Sequence, residues 1–183
     1  KALVAGTYYL KEIKAPNKYV ISNKVHTLTV KAGQTTGVTA TDKEQLGAIT
    51  ICKEGEVLSG WNGSNFTYEK KYLPGATFKV TAGADIYKAD GTKVYNKDDV
   101  IKEAVTTGID GKVIVTDLHL GTYVVIETGT IDGYTINTTP QTVDIQYKDQ
   151  TVDIQYEATS IYNTRQKGQV SVVKKDSDTE NPL

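Results

Sequence analysis

The chain has 183 residues, of which 38% are hydrophobic and 23% are charged, and its net charge is −1. This length allows one sizeable domain or parts of several, while a charge so near zero argues against electrostatic binding to nucleic acid or to an anionic membrane. One cysteine and two histidines rule out an internal disulfide and argue against a metal site, so that no metal or cofactor is expected.

Short strands separated by turns are predicted through the middle of the chain, because Thr, Val, Ile and Tyr are plentiful and Gly marks many turns. The predicted strands, in chain order, cover residues 48–52, 76–81, 85–95 (a hairpin about Asp90-Gly91), 111–116, 123–127, 141–147 and 150–163. Residues 53–73 are polar and predict a long loop, and residues 98–105 predict one short helix. About seven short strands with frequent turns are typical of an all-β, Ig-like sandwich, and no apolar run is long enough to span a bilayer.

Two stretches recur along the chain, which is the pattern of a repeat protein. The sequence GAITICK at 47–53 aligns with GQVSVVK at 168–174, and GTYYLKE at 6–12 aligns with GTYVVIE at 121–127. Each aligned pair keeps its glycine and its final charged residue. The chain therefore contains corresponding segments of more than one copy of the same module.

These repeats divide the chain into three parts. Residues 1–46 are interpreted as the C-terminal part of a first module, 47–167 as one complete module, and 168–183 as the first strand of a third. Because Met is absent, even at position 1, we expect the chain to be a piece of a longer protein. Repetition without low complexity favours an elongated array of modules over a compact enzyme.

A second, shorter repetition lies near the end of the complete module. The sequence QTVDIQY occurs at 141–147 and again at 150–156. One interpretation is a tandem duplication whose two copies form a hairpin with identical arms. The register of the last strand is then weakly specified, because a slip by one copy changes little locally.

Three polar residues fall on the inward phase of apolar strands. Lys53, Glu127 and Asn163 each end a predicted strand on the same phase as the apolar residues before them. Burying any one of these groups alone would cost several kcal/mol. Burying an amine, a carboxyl and a carboxamide together makes chemical sense, which predicts that the three side chains meet.

Such a cluster has a definite chemistry. Burial favours the neutral, nucleophilic form of an amine and the protonated form of a carboxyl. Glu127 would donate a hydrogen bond to the carbonyl of Asn163, and Lys53 would attack the carbonyl carbon with ammonia as the leaving group. The product is an intramolecular isopeptide bond, and proximity can supply roughly 7–11 kcal/mol of the barrier. The alternative interpretation is that the three residues end their strands in solvent or form a plain ion pair.

The chain resembles the CnaB-type (SpaA-like, prealbumin-like) domains of Gram-positive surface proteins and pilins. The matching pieces, besides the repeated stretches, are LPGATF at 73–78, DGKV at 110–113, DGY at 132–134, IYN at 161–163 and EIKAPNKY at 12–19. The resemblance covers most of the chain and implies prealbumin-like sandwich modules in tandem. In the complete module, residues 128–131 depart from the family's Ala-Pro pattern, and the loop after Lys53 is longer than the family leads us to expect.

The resemblance also implies which residues form the cross-link: a lysine, an acid that promotes the reaction, and an amide or carboxyl partner. In the complete module these are Lys53, Glu127 and Asn163. In the first module the acid is Glu12 and the partner is Asp42, so that water would be released, and the lysine is expected before residue 1. Lys174 is the corresponding lysine of the third module, with its partners expected after residue 183.

The expected function is structural, as a stalk or shaft repeat of an adhesin or pilus-like protein on the surface or cell wall of a Gram-positive bacterium. Its expected partners are neighbouring modules of the same chain, and its only catalysis would be self-directed and single-turnover. The alternative is a binding module that recognises host glycan or matrix protein through loop 54–72, with a ligand contact at Trp61. A Trp in such a loop also commonly packs beneath its own loop. An accessory domain of a surface enzyme is a third interpretation, but no catalytic motif supports it.

Overall fold

The structure, a computed structural model, describes residues 3–182 as strands, turns and coil. Over this range no helix is present that is long and apolar enough to cross a membrane. The expected module limits at residues 1 and 183, together with residue 2, lie outside the described residues.

The first segment forms two small antiparallel ladders. Its strands are β1 (Gly6–Lys11), β2 (Tyr19–Val20), β3 (Val25–Val30) and β4 (Lys43–Glu44). β1 pairs with β3 and β2 pairs with β4. In β3, half-buried residues alternate with exposed ones, as expected for a strand with one face against the protein. Glu12 follows β1 directly and Asp42 precedes β4 directly, so the ladders place both acids at strand ends.

The central part of the chain contains ten strands arranged mainly in two sheets. They are β5 (Leu46–Trp61), β6 (Phe66–Tyr72), β7 (Thr77–Ala82), β8 (Ile86–Tyr87), β9 (Lys93–Tyr95), β10 (Val100–Thr106), β11 (Lys112–Leu118), β12 (Gly121–Gly129), β13 (Gln141–Ile145) and β14 (Ile154–Asn163). One sheet has the order β10-β7-β12-β13 and is antiparallel. The other has the order β11-β5-β14, in which β5 and β14 are parallel.

Alternate residues of these strands build one core between the sheets. Ile49 and Ile51 on β5, Val80 on β7 and Val125 on β12 are completely buried and belong to a single apolar cluster. Period-two alternation puts them on one face of each strand, and each contributes about 1.5–3 kcal/mol by leaving water. The predicted all-β sandwich is confirmed.

Residues 53–73 form a β-hairpin, not the loop that their polarity predicts. β5 runs on past the sandwich to Trp61 and pairs with β6 in an antiparallel ladder. The side chains of β6 are mostly exposed, so no apolar alternation marks this strand in the sequence. A cross-strand ion pair between Lys70 and Glu54 helps to hold the hairpin.

Residues 98–105 form a strand, not a short helix. Asp98 has a φ of 70°, a left-handed conformation that a helix does not allow, and the chain then enters β10, which pairs with β7. The predicted hairpin at 85–95 is confirmed as β8 and β9. With β6 and β10 included, the module has ten strands where about seven were expected.

The two copies of QTVDIQY lie in different sheets and do not pair as a hairpin. The first copy supplies β13, which pairs with β12, and the second supplies the start of β14, which pairs with β5. Ile145 in the first copy is 1% exposed, whereas its counterpart Ile154 in the second is 38% exposed. The neighbouring strand, not the local sequence, therefore decides the environment of each copy.

Residues 148–153, in the loop between β13 and β14, contact the end of the first segment. The side chain of Gln45 is completely buried there. Its Nε2 donates to the backbone carbonyls of Asp149 and Val152, and its Oε1 accepts from the N–H of Lys148 at 2.9 Å. All polar atoms of this buried side chain are engaged, which ties the end of the first segment to the central module.

Candidate functional site

Three polar side chains are buried between the two sheets. Lys53 lies on β5, Asn163 on its parallel neighbour β14, and Glu127 on β12 of the facing sheet. Their exposed fractions are 0%, 1% and 1%. Ile161 lies opposite Lys53 in the β5–β14 register, so Asn163 is two residues further along. The structure thus brings together the three residues that the sequence singled out.

Glu127 contacts both of the other two side chains. Its Oε2 lies 3.1 Å from the Nζ of Lys53, and its Oε1 accepts a hydrogen bond of 2.8 Å from the Nδ2 of Asn163. The backbone N–H of Asn137 also donates to Oε2, at 3.1 Å. One carboxyl group therefore bridges the amine and the carboxamide. It meets the amide at its nitrogen and not, as the sequence led us to expect, at its carbonyl oxygen.

The carboxamide of Asn163 has one further polar contact. Its Nδ2 donates a second hydrogen bond, of 2.8 Å, to the Oγ1 of Thr130. Its Oδ1 is buried and has no hydrogen-bond partner among the described residues. A buried carbonyl oxygen without a donor is unusual in a folded protein. Neither Thr130 nor Asn137 was predicted from the sequence to lie at this site.

Burial lowers the pKa of the amine in this cluster. Loss of water around Lys53 lowers the pKa of its amine from the ordinary value, and this effect exceeds the opposing hydrogen bond and charge of Glu127. A lowered pKa makes the neutral amine easier to reach near neutral pH. The cluster therefore holds a potential nucleophile, a proton carrier and a carbonyl group in one buried space.

A tyrosine and a glycine fix the backbone beside the cluster. The hydroxyl of Tyr134 donates to the carbonyl of Glu56 at 2.7 Å, which anchors β5 just after Lys53. Gly55 lies opposite Asn163, and a Cβ at this position would come within 2.9 Å of the Asn163 backbone oxygen. A side chain at this position would clash with the neighbouring strand, which explains why residue 55 is a glycine.

Two acids in the first segment, Glu12 and Asp42, show a related arrangement. The backbone N–H of Ser22 donates to the Oε2 of Glu12 at 2.8 Å; Ser22 and Asn137 each lie ten residues after their Glu. Burial first, and the neighbouring Glu12 next, raise the pKa of Asp42. Lys174 is exposed in coil and does not join these two acids; the expected third-module strand stays a prediction.

A sequence match to a known family covers most of the chain. Residues 1–44 and 67–160 match the family described as SpaA, prealbumin-like fold domain, which is more than half of the chain. The chain belongs to the SpaA family. The match includes Glu12, Asp42 and Glu127, whereas Lys53 and Asn163 lie just outside the matched segments. The resemblance inferred from the motifs is thereby confirmed.

Solved structures with the SpaA-like fold come from several Gram-positive bacteria. The Bacillus anthracis TIE protein is 24% identical with a TM-score of 0.52, and the match covers 89% of this chain and 26% of that one. GBS52, the minor pilin of Streptococcus agalactiae, is 20% identical with a TM-score of 0.45, covering 82% and 63%. The shaft pilin spaA of Lactobacillus rhamnosus GG is 18% identical with a TM-score of 0.41, covering 76% and 58%.

This SpaA-family chain thus spans less than two thirds of each of those proteins. The likeness to the Bacillus anthracis protein supports the shared fold. No curated protein matches the chain.

The predicted ligand contact, Trp61, lies far along β5 at the tip of the hairpin. Its side chain is 57% exposed, and its ring packs edge-to-face on Phe66, which is 61% exposed, with 5.0 Å between centroids. The Trp therefore packs on its hairpin partner and still presents a ring to solvent. It takes no part in the buried cluster.

Proposed function

We propose that the chain is a stalk or shaft segment of a Gram-positive surface adhesin or pilus-like protein, located outside the cell. Its central module is stabilised by a self-formed isopeptide bond between Lys53 and Asn163. The observation that carries this proposal is the double contact of Glu127, which touches the amine and the carboxamide in a buried space. Membership of the SpaA family and the tandem repeat support it.

The reaction needs no external reagent. A proton passes from Lys53 to Glu127, and the neutral amine attacks the side-chain carbon of Asn163. The new bond joins Nζ to Cγ, and the bond from Cγ to Nδ2 breaks. Glu127 passes the proton it has taken to Nδ2 and takes a second proton from Nζ, so that ammonia leaves and Glu127 ends protonated. The lowered pKa of Lys53 favours the first step. Each molecule reacts once with itself, so the protein is not an enzyme toward other substrates.

The position of the bond suits a load-bearing role. Lys53 is on the first strand of the module and Asn163 on the last, and these strands are parallel neighbours. A pull on the two ends of the module would pass through the covalent bond without loading the strands between. The bond also closes a loop of about 110 residues, which on the chain-entropy estimate for disulfides stabilises the fold by about 4–5 kcal/mol.

The test is the intact mass of the purified chain beside a Glu127→Gln variant. We expect the parent to lack the mass of one ammonia and the variant to retain it, and fragmentation of a digest to join the peptides of Lys53 and Asn163. The matched control is Glu103→Gln, because Glu103 is an exposed acid in a surface ion pair. A parent with its full mass would refute the bond.

A second candidate function is recognition of host glycan or matrix protein by the hairpin tip. The exposed aromatic pair of Trp61 and Phe66 favours it, because solvent-facing aromatic rings are common in recognition sites. Trp61 is the single tryptophan of the chain, so its fluorescence reports directly on binding. Titration with soluble oligosaccharides and purified matrix proteins should shift this emission in the parent. The Phe66→Ala variant should bind the same ligands more weakly. Emission that no ligand changes would argue against recognition by the hairpin tip.

A further inference from the structure

The two repeated stretches that contain Glu12 and Glu127 differ at the third residue after the Glu. In the first segment Ala15 follows Glu12 at this distance, and in the central module Thr130 follows Glu127. The partner group differs as well, because the first segment has the carboxyl of Asp42 where the central module has a carboxamide. A hydroxyl is thus found beside the amide partner, and a methyl stands at the equivalent sequence position in the segment with the acid partner.

The contacts show what the hydroxyl does in the central module. A carboxamide nitrogen has two N–H groups to donate. In Asn163, Nδ2 donates to the Oε1 of Glu127 and to the Oγ1 of Thr130, both at 2.8 Å. These two bonds orient the amide, since its Oδ1 makes no hydrogen bond among the described residues. Replacing Thr130 with a residue like Ala15 would leave one N–H of Asn163 unpaired.

We propose that Thr130 is a positioning residue for bond formation, which holds the leaving nitrogen of Asn163 against Glu127. This inference rests on the proposed isopeptide bond. Nδ2 is then fixed at Oε1 while the attacking amine of Lys53 lies at Oε2, so that a single carboxyl can take a proton from one nitrogen and give a proton to the other. Orientation of reacting groups is a major part of the rate of such a step.

The hydroxyl of Thr130 serves an amide partner and would have no such use beside an acid partner. A carboxyl partner has no pair of N–H groups that needs a second acceptor, which agrees with the Ala15 that accompanies Asp42. The hydroxyl should therefore speed the loss of ammonia from an Asn much more than the loss of water from an Asp. This difference separates positioning from a general contribution to folding.

The experiment follows the reaction in the full chain after cell-free synthesis, with timed samples quenched in denaturant and analysed by intact mass. Thr130→Val keeps the side-chain shape but removes the hydroxyl, and we expect it to slow ammonia loss about tenfold, as for one lost hydrogen bond. Thr130→Ser should restore the parent rate. The matched control is Thr128→Val, because Thr128 is exposed and bonds to the carbonyl of Thr77 instead; its rate should equal that of the parent.

A second pair of rates tests whether Thr130 acts specifically when the partner is an amide. In the Asn163→Asp background, adding Thr130→Val should change the rate of water loss far less than it changes ammonia loss from Asn163. Equal rates for the parent and Thr130→Val, or the same slowing in both backgrounds, would overturn the role of Thr130 and leave the bond standing. A parent that keeps its full mass would overturn the bond itself and, with it, this role.

Discussion

Lys53 and Glu127 are in contact across the core although 74 residues separate them in the chain, with Nζ 3.1 Å from Oε2. Both side chains are completely shielded from water. A buried pair of this kind stabilises a fold little by itself, because the loss of hydration offsets the attraction. Its presence in an apolar core therefore agrees better with the proposed reaction than with a contribution to stability.

Removing one member of this pair should destabilise the fold more than removing both. In an Asn163→Ala background, which forms no cross-link, Glu127→Leu leaves the amine of Lys53 buried without a partner and should lower the free energy of unfolding by about 3–5 kcal/mol. Adding Lys53→Met should recover most of this loss. Urea unfolding gives the free energy of unfolding of Asn163→Ala alone, with Glu127→Leu, and with both Glu127→Leu and Lys53→Met. A double variant no more stable than the single one would contradict the prediction.

The unreacted amine should make stability depend on pH. In Asn163→Ala, Lys53 keeps its amine, and burial lowers the pKa of this group below the ordinary 10.5. Between the lowered pKa and 10.5 the unfolded chain binds more protons than the folded chain, so the free energy of unfolding rises with pH in this window. For one proton the slope is at most about 1.4 kcal/mol per pH unit.

The slope due to Lys53 is isolated by difference, because other lysines and tyrosines titrate in the same range. Urea unfolding of Asn163→Ala is compared, pH by pH, with that of Asn163→Ala combined with Lys53→Met. The first series should rise more steeply than the second. Parallel series would show that the amine of Lys53 titrates as it does in the unfolded chain.

Mechanical unfolding should reveal the bond through missing length. If Lys53 and Asn163 are joined, a single-molecule pull cannot extend the chain between them, and about 110 residues, or roughly 370 Å, should be absent from the extension. The Glu127→Gln variant should release this length. Full extension of the parent would be incompatible with a cross-link at these positions.

The junction between the two segments should be held by Gln45. This side chain is completely buried and engages the backbone of the loop at 148–152, so Gln45→Ala leaves backbone groups unpaired at a cost of roughly 1–3 kcal/mol. We expect faster proteolysis in the loop and a wider range of shapes in small-angle scattering. The control is Gln34→Ala, because Gln34 is exposed. Unchanged proteolysis in Gln45→Ala would exclude this role.

Several features of the fold were predictable because local pattern and burial agree. Alternation in β5 and β12 placed Lys53 and Glu127 on the buried face, as the structure shows. β6 was missed because both of its faces are largely exposed and carry no apolar alternation. β10 was missed because adjacent acids resemble a helix start, while Asp98 adopts a left-handed turn conformation.

Thr130 could have been noticed from the sequence by comparing the two repeated stretches that contain Glu12 and Glu127, which differ at this position. Its contact with Asn163 could not, because a hydrogen bond depends on where two distant segments meet. Gln45 has no sequence signal at all, because a lone glutamine is usually exposed. Its burial follows from the path of the loop at 148–153.

The sequence by itself determined the all-β class, the repeated modules and the face on which each of the three polar residues lies, because strand periodicity is a local property. Only the tertiary structure decided that a single carboxyl bridges the amine and the carboxamide, that identical copies of QTVDIQY join different sheets, and that Thr130 accepts a hydrogen bond from Asn163. Those outcomes depend on sheet order and on the parallel pairing of β5 with β14, which bring together residues that no local pattern connects.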